Sequence, residues 1–169
     1  MKKAIIICSV ILAFLVTNLI VLERHLIMPV KDITPVSHTC VINASISREE
    51  MIEHINNHFK VNYKLEWINN YRFDGRPNLI FRRVRLDNNL SLVYVGMTLA
   101  HELCHIKYYC ANETWVEFMA FKELYESNDP VLKMCGDAMI TLHCEYRAYK
   151  GTAYDIGWYI LDYLGEEVC

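Results

Sequence analysis

The sequence has no excess of positive charge, no internal repeat and no low-complexity tract. Its 169 residues include 17 Lys and Arg against 20 Asp and Glu. Residues 31–169 alone hold 14 basic and 19 acidic residues, a formal charge of −5. A nucleic-acid partner needs a basic face that neutralises phosphates. The charge balance therefore argues against nucleic acid as a partner, and the chain length indicates one domain.

Residues 4–22 lack any charged side chain. As a helix this run would extend roughly 28 Å, close to the hydrocarbon thickness of a bilayer. It ends at Glu23 without the small-residue cleavage site of a secretory signal, so we expect an uncleaved membrane anchor, with a cleaved signal as the alternative. Lys2 and Lys3 favour a cytosolic N-terminus. The sequence thus predicts a single-pass membrane protein whose main domain is extracytoplasmic, or secreted if the anchor is removed.

This assignment divides the chain into a membrane anchor (1–22), a juxtamembrane connector (23–46) and a domain (47–169). The exported part contains six cysteines, which are Cys40, Cys104, Cys110, Cys135, Cys144 and Cys169. Because extracytoplasmic compartments are oxidising, the even number favours two or three disulfides over buried thiols. The sequence does not choose among the possible pairings.

The domain has the pattern of a helix, a small sheet and then further helices, which predicts an α+β fold with a small antiparallel sheet packed on a helix. Ser47 and Glu50 form a capping box ahead of an amphipathic helix. His54 and His58 stand four apart on that helix without a third ligand nearby, which indicates solvated helix surface. Strand character is found in VNYKLEWI (61–68), LIFRRVRLD (79–87) and LSLVYVG (90–96), and turn chemistry in FDGRPN (73–78).

From Met97 onward the pattern is helical. A first helix is predicted to end near Cys110, and a second to begin after Asn112 as its N-cap. Residues 127–130, Ser-Asn-Asp-Pro, are predicted to end that second helix. A third helical segment, interrupted once, is predicted between 131 and 164. The sequence therefore predicts a helical bundle after the sheet.

The segment MTLAHELCHIKYY (97–109) places two histidines four residues apart. In a helix, such residues differ by about 40° and about 6 Å along the axis, so His101 and His105 point the same way and can bind one Zn²⁺. Glu102 is turned about 100° from His101, where its carboxylate can take a proton from metal-bound water. Cys104 faces away and is expected in the core or in a disulfide. The alternative is a buried histidine pair that bonds to backbone carbonyls.

The stretch TLAHELCH, following predicted strands, resembles the zinc helix of the zincin metallopeptidases. The resemblance implies a small twisted sheet whose edge strand holds peptide above the zinc helix, and a later helix that brings the third ligand. The metzincin subset has H-E-x-x-H-x-x-G-x-x-H, and this chain departs from it at Tyr108 and Ala111. The gluzincin subset takes a glutamate from a later helix, often in an E-x-x-A setting. The resemblance covers roughly residues 60–150, and only the five-residue motif is specific.

Two glutamates have that local form, Glu117 in EFMAF and Glu145 in EYRAY. Glu145 follows His105 by 40 residues and can arrive on an independent helix, so it is the preferred third ligand. Glu117 is the alternative, because a tight helical hairpin would pack it back opposite His105. Glu113, at a helix start, and His143 are weaker candidates.

The sequence therefore predicts a membrane-anchored, gluzincin-like zinc endopeptidase with Zn²⁺ as cofactor and Glu102 as general base. Its substrate would be a peptide or protein, and its oligomeric state is left open. Tyr149, Tyr154 and His143 are candidate hydrogen-bond donors to the oxyanion, with side-chain packing as the favoured role of each tyrosine. One alternative is a non-catalytic, membrane-tethered binding domain with a zincin-like fold. Another is a cysteine-stapled extracellular module in which the motif occurs by chance.

Overall fold

Helices flank a small sheet in the order that the sequence predicts. The computed structural model describes residues 46–69, 75–145, 152 and 154–165, with the backbone alone at residue 145, and all of them fall within the segment Val36–Cys169. The elements are α1 (Arg48–Phe59), β1 (Lys64–Ile68), β2 (Gly75–Asn78), β3 (Arg83–Asp87), α2 (Leu92–Tyr108), α3 (Glu113–Tyr125), α4 (Pro130–Ile140), a π-helical turn (Thr141–Glu145) and α5 (Gly157–Leu164). The α+β prediction is confirmed.

The sheet is mixed, so the prediction of an antiparallel sheet is wrong. The strand order is β1-β3-β2, with β1 parallel to β3 and β2 antiparallel to β3. The alternation of apolar and polar residues specifies the two faces of a strand but not its direction, which depends on non-local pairing. β3 is central, and its Val84 and Leu86 are fully buried on the side that contacts α2.

Two segments adopt a structure other than the predicted one. Gly75–Asn78, predicted as part of a turn, forms the edge strand β2, where Pro77 is tolerated because one side of an edge strand makes no ladder hydrogen bonds. Residues 90–96, predicted as a strand, lead into and begin α2. A short apolar run does not by its periodicity distinguish a buried strand from a buried helix, and here helix formation prevails.

The predicted helix starts are confirmed by their caps. Ser47 Oγ accepts a hydrogen bond from Glu50 N at 3.1 Å, and Glu50 Oε2 accepts one from Ser47 N at 2.6 Å. Asn112 caps α3 by accepting from the amide of Trp115. Asp129 caps α4 with Pro130 at the first helical position, as the break after the second predicted helix requires.

α2 is the central helix of the fold and contacts α1, α3, α4, β2 and β3. Its side chains Val95, Leu99 and Leu103 are fully buried. Because helix and sheet surround it, His101, Glu102 and His105 in its C-terminal half are also withdrawn from water. Such groups require partners inside the protein.

The cysteines pack as small apolar side chains. Cys104, Cys110 and Cys135 carry free thiols. With three of the six exported cysteines free, at most one disulfide remains possible, so the prediction of two or three is wrong. Cys104 is fully buried in the core, and Cys135 Sγ lies 3.9 Å from Met51 Sδ. Burial raises the pKa of the Cys135 thiol to about 12, which keeps it unreactive at neutral pH.

The two histidines of α1 connect it to later helices rather than only facing solvent. His54 Nδ1 lies 2.5 Å from Asp129 Oδ2, at the start of α4. His58 Nε2 lies 2.9 Å from Glu123 Oε2 on α3. The histidines are half-exposed, and each meets a single carboxylate. Their role is to dock α1, and the prediction of plain solvated surface misses these bonds because the partners are 65 or more residues away.

The predicted anchor and most of the connector, residues 1–45, lie outside the described part of the chain. Within residues 46–69, 75–145, 152 and 154–165, no helix has the length and apolar character needed to cross a membrane.

Candidate metal centre

His101 and His105 converge from adjacent turns of α2. Their Nε2 atoms lie 3.0 Å apart, and the rings meet edge to face with centroids 4.8 Å apart. Both side chains are buried. The structure therefore brings the two nitrogens to one point, as the four-residue spacing predicts.

A carboxylate of the next helix meets both histidines. Tyr109 ends α2 in the left-handed conformation, and Asn112 caps α3 only three residues later. This tight hairpin brings Glu113, the first residue of α3, back over the histidines. Glu113 Oε2 lies 3.0 Å from His101 Nε2 and 3.3 Å from His105 Nε2. Among the described residues, this trio is the one His/Cys/Asp/Glu group spaced to hold a metal ion.

The other ring nitrogen of each histidine has its own partner. His101 Nδ1 donates to Glu117 Oε2 at 2.5 Å, and His105 Nδ1 donates to the carbonyl of Cys110 at 2.6 Å. Such bonds fix the ring orientation and leave the lone pair of Nε2 for a metal. The alternative interpretation, a buried histidine pair without metal, also predicts a backbone carbonyl as the partner of His105. It does not predict a carboxylate on the Nε2 side of the histidines.

Glu117 joins two parts of the fold behind the histidines. Its Oε1 lies 3.0 Å from Nε2 of His143, which stands on the π-helical turn, while its Oε2 accepts from His101. Glu113 and Glu117 are four residues apart and therefore share a face of α3. His101 lies between them, with Glu113 at Nε2 and Glu117 at Nδ1.

Glu102 lies beside the histidines with an oxygen that has no hydrogen-bond partner. Its side chain is buried, and no described residue offers a hydrogen bond to Oε2. Burial raises the pKa of Glu102 to about 7, an effect that the neighbouring His101 and His105 only partly oppose. The strand β2 passes directly over this carboxylate, because a Cβ added at Gly75 would lie 2.6 Å from Glu102 Oε1. A side chain at position 75 would therefore displace Glu102 or Thr98.

The charges around His101 favour a cation at the centre. Burial by itself would raise the pKa of Glu113 and Glu117, but hydrogen bonds with His101, and with His105 or His143, outweigh it and lower both to about 2. Burial would likewise lower the pKa of His101, yet its bonds to the two glutamates raise it to about 10. Both carboxylates are thus ionised at neutral pH, and either a proton or a metal ion can neutralise them.

These residues fit a catalytic zinc ion by the chemistry of their donors. Two imidazole nitrogens and one carboxylate oxygen are a known ligand set of catalytic zinc, which keeps a fourth position for water or substrate. The oxygen of Glu102 that lacks a partner is suited to a hydrogen bond from such a water. Partners on the outer nitrogens of ligating histidines are also typical of zinc sites.

The structure brings some of the predicted site residues together and separates others. His101, Glu102 and His105 form one cluster, to which Glu113 belongs although the sequence analysis ranks it low. A tight hairpin of the kind predicted for Glu117 also brings Glu113, one turn earlier, within reach of the histidines, but the sequence does not show which of the two faces Nε2. Glu117 instead meets the opposite nitrogen of His101. The Glu145 side chain, the other predicted ligand, lies outside the described residues.

The predicted oxyanion donors have different positions. The Tyr154 ring centroid lies 5.5 Å from that of His101, next to the site. His143 is bound to Glu117 behind the histidines, and Tyr149 lies outside the described residues. Cys104 faces the core, as predicted.

No protein-family model matches the chain, and no curated protein matches it. Among solved structures, it is similar to the crystal structure of the metallopeptidase zymogen of Pyrococcus abyssi abylysin. The sequence identity is 18%, the match covers 56% of this chain and 93% of that chain, and the TM-score is 0.41. A likeness this weak shows nothing about activity.

Proposed function

We propose that this protein is a zinc-dependent peptidase in which His101, His105 and Glu113 hold the metal and Glu102 is the general base. One observation carries the proposal. Three donor atoms from two helices converge on a buried point, beside a carboxylate that has an oxygen without a partner. Glu113 is chosen over Glu145 and Glu117 because its oxygen lies within 3.3 Å of both Nε2 atoms.

Glu102 supplies the proton transfers of the reaction. When bound, zinc would make water more acidic and polarise the carbonyl of the substrate. Glu102 then accepts a proton from the attacking water and returns it to the leaving amine. Burial raises the pKa of Glu102, which suits both steps because it favours a group that can gain as well as lose a proton near neutral pH. The position of Tyr154 next to His101 supports it as a donor to the oxyanion.

The position of β2 supports an extended peptide as the substrate. In the order β1-β3-β2, one side of β2 is paired with no other described strand. An exposed edge of this kind can form main-chain hydrogen bonds with an extended peptide. Gly75 places one end of this edge against Glu102. A peptide bound along β2 would therefore reach the candidate base.

We further propose that residues 4–22 anchor the protein in a membrane and that the domain is extracytoplasmic. Both rest on the uncharged run and on Lys2 and Lys3 before it. The non-catalytic binding domain remains the rival proposal. A fourth protein ligand would favour it, whereas the partnerless oxygen of Glu102 favours a position for water.

The test is peptide cleavage by the full chain and by Glu102→Gln, each assayed with and without chelator. Glu102→Gln should retain zinc and lose cleavage by roughly 100- to 10,000-fold, because it removes the base without removing a ligand. Glu49→Gln, an exposed glutamate of α1, is the matched control and should cleave normally. Cleavage by Glu102→Gln at the rate of the control would rule out its role. Zinc binding by a wild type that cleaves no peptide would favour the binding domain.

A further inference from the structure

The outer face of the sheet carries a cluster of basic side chains. The register places Lys64 beside Arg83, and it places Glu66 and Arg76 on either side of Arg85. Residues paired in this way point to the same face of a sheet. Four basic residues and one acidic residue give this basic face a formal charge of +3, in a protein whose net charge is −3. The opposite face holds the buried residues of β3 that contact α2.

Glu66 neutralises only part of this charge. Its carboxylate lies 3.5 Å from Lys64 Nζ, 3.5 Å from Arg83 Nη1 and 3.1 Å from Arg85 Nε. The three cations remain between 43% and 69% exposed. They are therefore available to an anionic partner.

An exposed apolar tip adjoins the basic face. Ile80 and Phe81, in the turn between β2 and β3, are 66% and 67% exposed. The turn is held in place, because Asn78 Oδ1 accepts from the Phe81 amide at 3.0 Å and the Arg82 carbonyl accepts from the Lys64 amide at 2.8 Å. The two apolar side chains are thus presented outward by a fixed backbone.

Basic and aromatic groups surround this tip. The guanidinium of Arg82 donates to the hydroxyl of Tyr109, which is itself exposed. The guanidinium of Arg83 lies 5.7 Å from the centre of the Phe81 ring. A short apolar projection within a cationic surface is typical of proteins that rest on a bilayer, where apolar groups enter the headgroup layer and arginines meet phosphates.

We propose that the basic face and the apolar tip dock on the surface of an anionic lipid bilayer. Charge complementarity favours this partner, and a bilayer would also bury Ile80 and Phe81. A partner that offers only anionic groups would pair with the arginines and leave that apolar pair in water. The order of segments in the sequence is consistent with a bilayer as the partner. Residues 23–45 separate the apolar run 4–22 from the domain. Extended, they would span up to roughly 75 Å, enough for the domain to reach the membrane that holds the run.

This docking is independent of catalysis, but it has a consequence for the candidate metal centre. β2 leads from Gly75, beside Glu102, to Asn78, immediately before the tip. Docking of the tip would hold the metal centre close to the bilayer surface.

The test is amide hydrogen exchange of the full chain reconstituted in vesicles, followed by mass spectrometry of the segment 79–83. One vesicle contains only phosphatidylcholine, and the other also contains phosphatidylglycerol. Because each arginine near an anionic surface raises the equilibrium constant for docking about five-fold, exchange in this segment should slow at least about five-fold in the anionic vesicles. The substitutions Ile80→Asp and Phe81→Asp together should abolish the slowing, whereas Trp158→Asp, at an equally exposed residue of α5, should preserve it.

Three results would overturn the proposal. Equal exchange in the two vesicles would show that anionic lipid is not the partner. Slowing by a soluble oligonucleotide, with phosphatidylcholine vesicles alone, would identify a general polyanion site. If amide exchange still slows in the doubly substituted chain, the tip does not take part in the interaction.

Discussion

At the scale of single residues, the two nitrogens of His101 separate the roles of two similar glutamates. Glu113 faces the nitrogen that His105 also approaches, whereas Glu117 faces the nitrogen on the far side. The first position suits a ligand, and the second suits a partner that orients the ring. Removing each charge should therefore have different consequences for zinc.

We expect Glu113→Gln to weaken zinc binding more than Glu117→Gln, since only the first removes a proposed ligand. Loss of an orienting partner costs roughly 10- to 100-fold in metal affinity, which sets the expectation for Glu117→Gln. Glu145→Gln should leave the affinity unchanged. The dissociation constant of zinc, measured in competition with a chromogenic chelator, compares the three variants without reference to activity.

The same comparison tests whether the third ligand is Glu113, as the structure indicates, or Glu145, as the sequence predicts. If Glu145→Gln loses zinc and Glu113→Gln does not, the ligand is the one that the sequence prefers. The His101 and His105 pair could be predicted because helix geometry alone aligns residues four apart. Glu113 could not be ranked first, because its position depends on where α2 ends and how tightly the chain turns at Tyr109.

At the scale of elements, β2 is the strand that closes over the candidate base. We expect Gly75→Ala to reduce kcat/KM for a peptide by roughly 100-fold without loss of zinc, since displacement of a catalytic group by about 1 Å costs that much. The added Cβ would lie 2.6 Å from both Glu102 Oε1 and Thr98 Cγ2. Steady-state kinetics with parallel zinc analysis measures both quantities.

Arg76→Ala is the matched control for this strand, because its side chain belongs to the opposite face of the sheet. It should change kcat/KM for a soluble peptide little. An unchanged kcat/KM in Gly75→Ala would mean that β2 does not constrain Glu102.

Three elements meet at Glu123 of α3. It accepts hydrogen bonds from Lys107 and Tyr108 of α2 and contacts His58 of α1. Burial opposes the charge, but these partners outweigh it and hold the pKa of Glu123 below its ordinary value of 4.5. A carboxylate whose pKa is lower in the folded state than in the unfolded state stabilises the fold at pH values above its ordinary pKa. This stabilisation is lost as the pH falls through the folded-state pKa.

Glu123→Gln should therefore lower the free energy of unfolding by about 1 to 2 kcal/mol at pH 7, the range of a hydrogen-bonded charge discounted for partial solvent screening. The difference from wild type should shrink below the ordinary carboxyl pKa. Denaturant unfolding across this pH range measures it, with the exposed Glu53→Gln as control. If the difference in unfolding free energy between wild type and Glu123→Gln does not change with pH, a charge-dependent role for Glu123 is excluded.

The elements also show which parts of the fold are local in origin. Helix starts at Ser47 and Asn112 could be predicted, because caps act within a few residues. The direction of β1, the pairing of Gly75–Asn78 and the helical start of α2 could not. Each is determined by contacts with distant parts of the chain, which override local preference.

At the scale of the whole molecule, the fold encloses charge in its central helix. α2 lies among five other helices and strands, yet it carries His101, Glu102 and His105 in its buried half. Two further carboxylates from α3 reach the same place. A fold that buries four ionisable side chains together, with Glu113 half-buried beside them, gains most when a cation neutralises them, and this is the physical basis of the proposed zinc site.

Zinc K-edge X-ray absorption of the full chain, purified without chelator, tests this claim most directly. We predict about one equivalent of zinc, with imidazole nitrogen and carboxylate oxygen at about 2.0 to 2.2 Å. Less than about half an equivalent, or a sulfur shell at about 2.3 Å, would contradict a centre built from His101, His105 and Glu113.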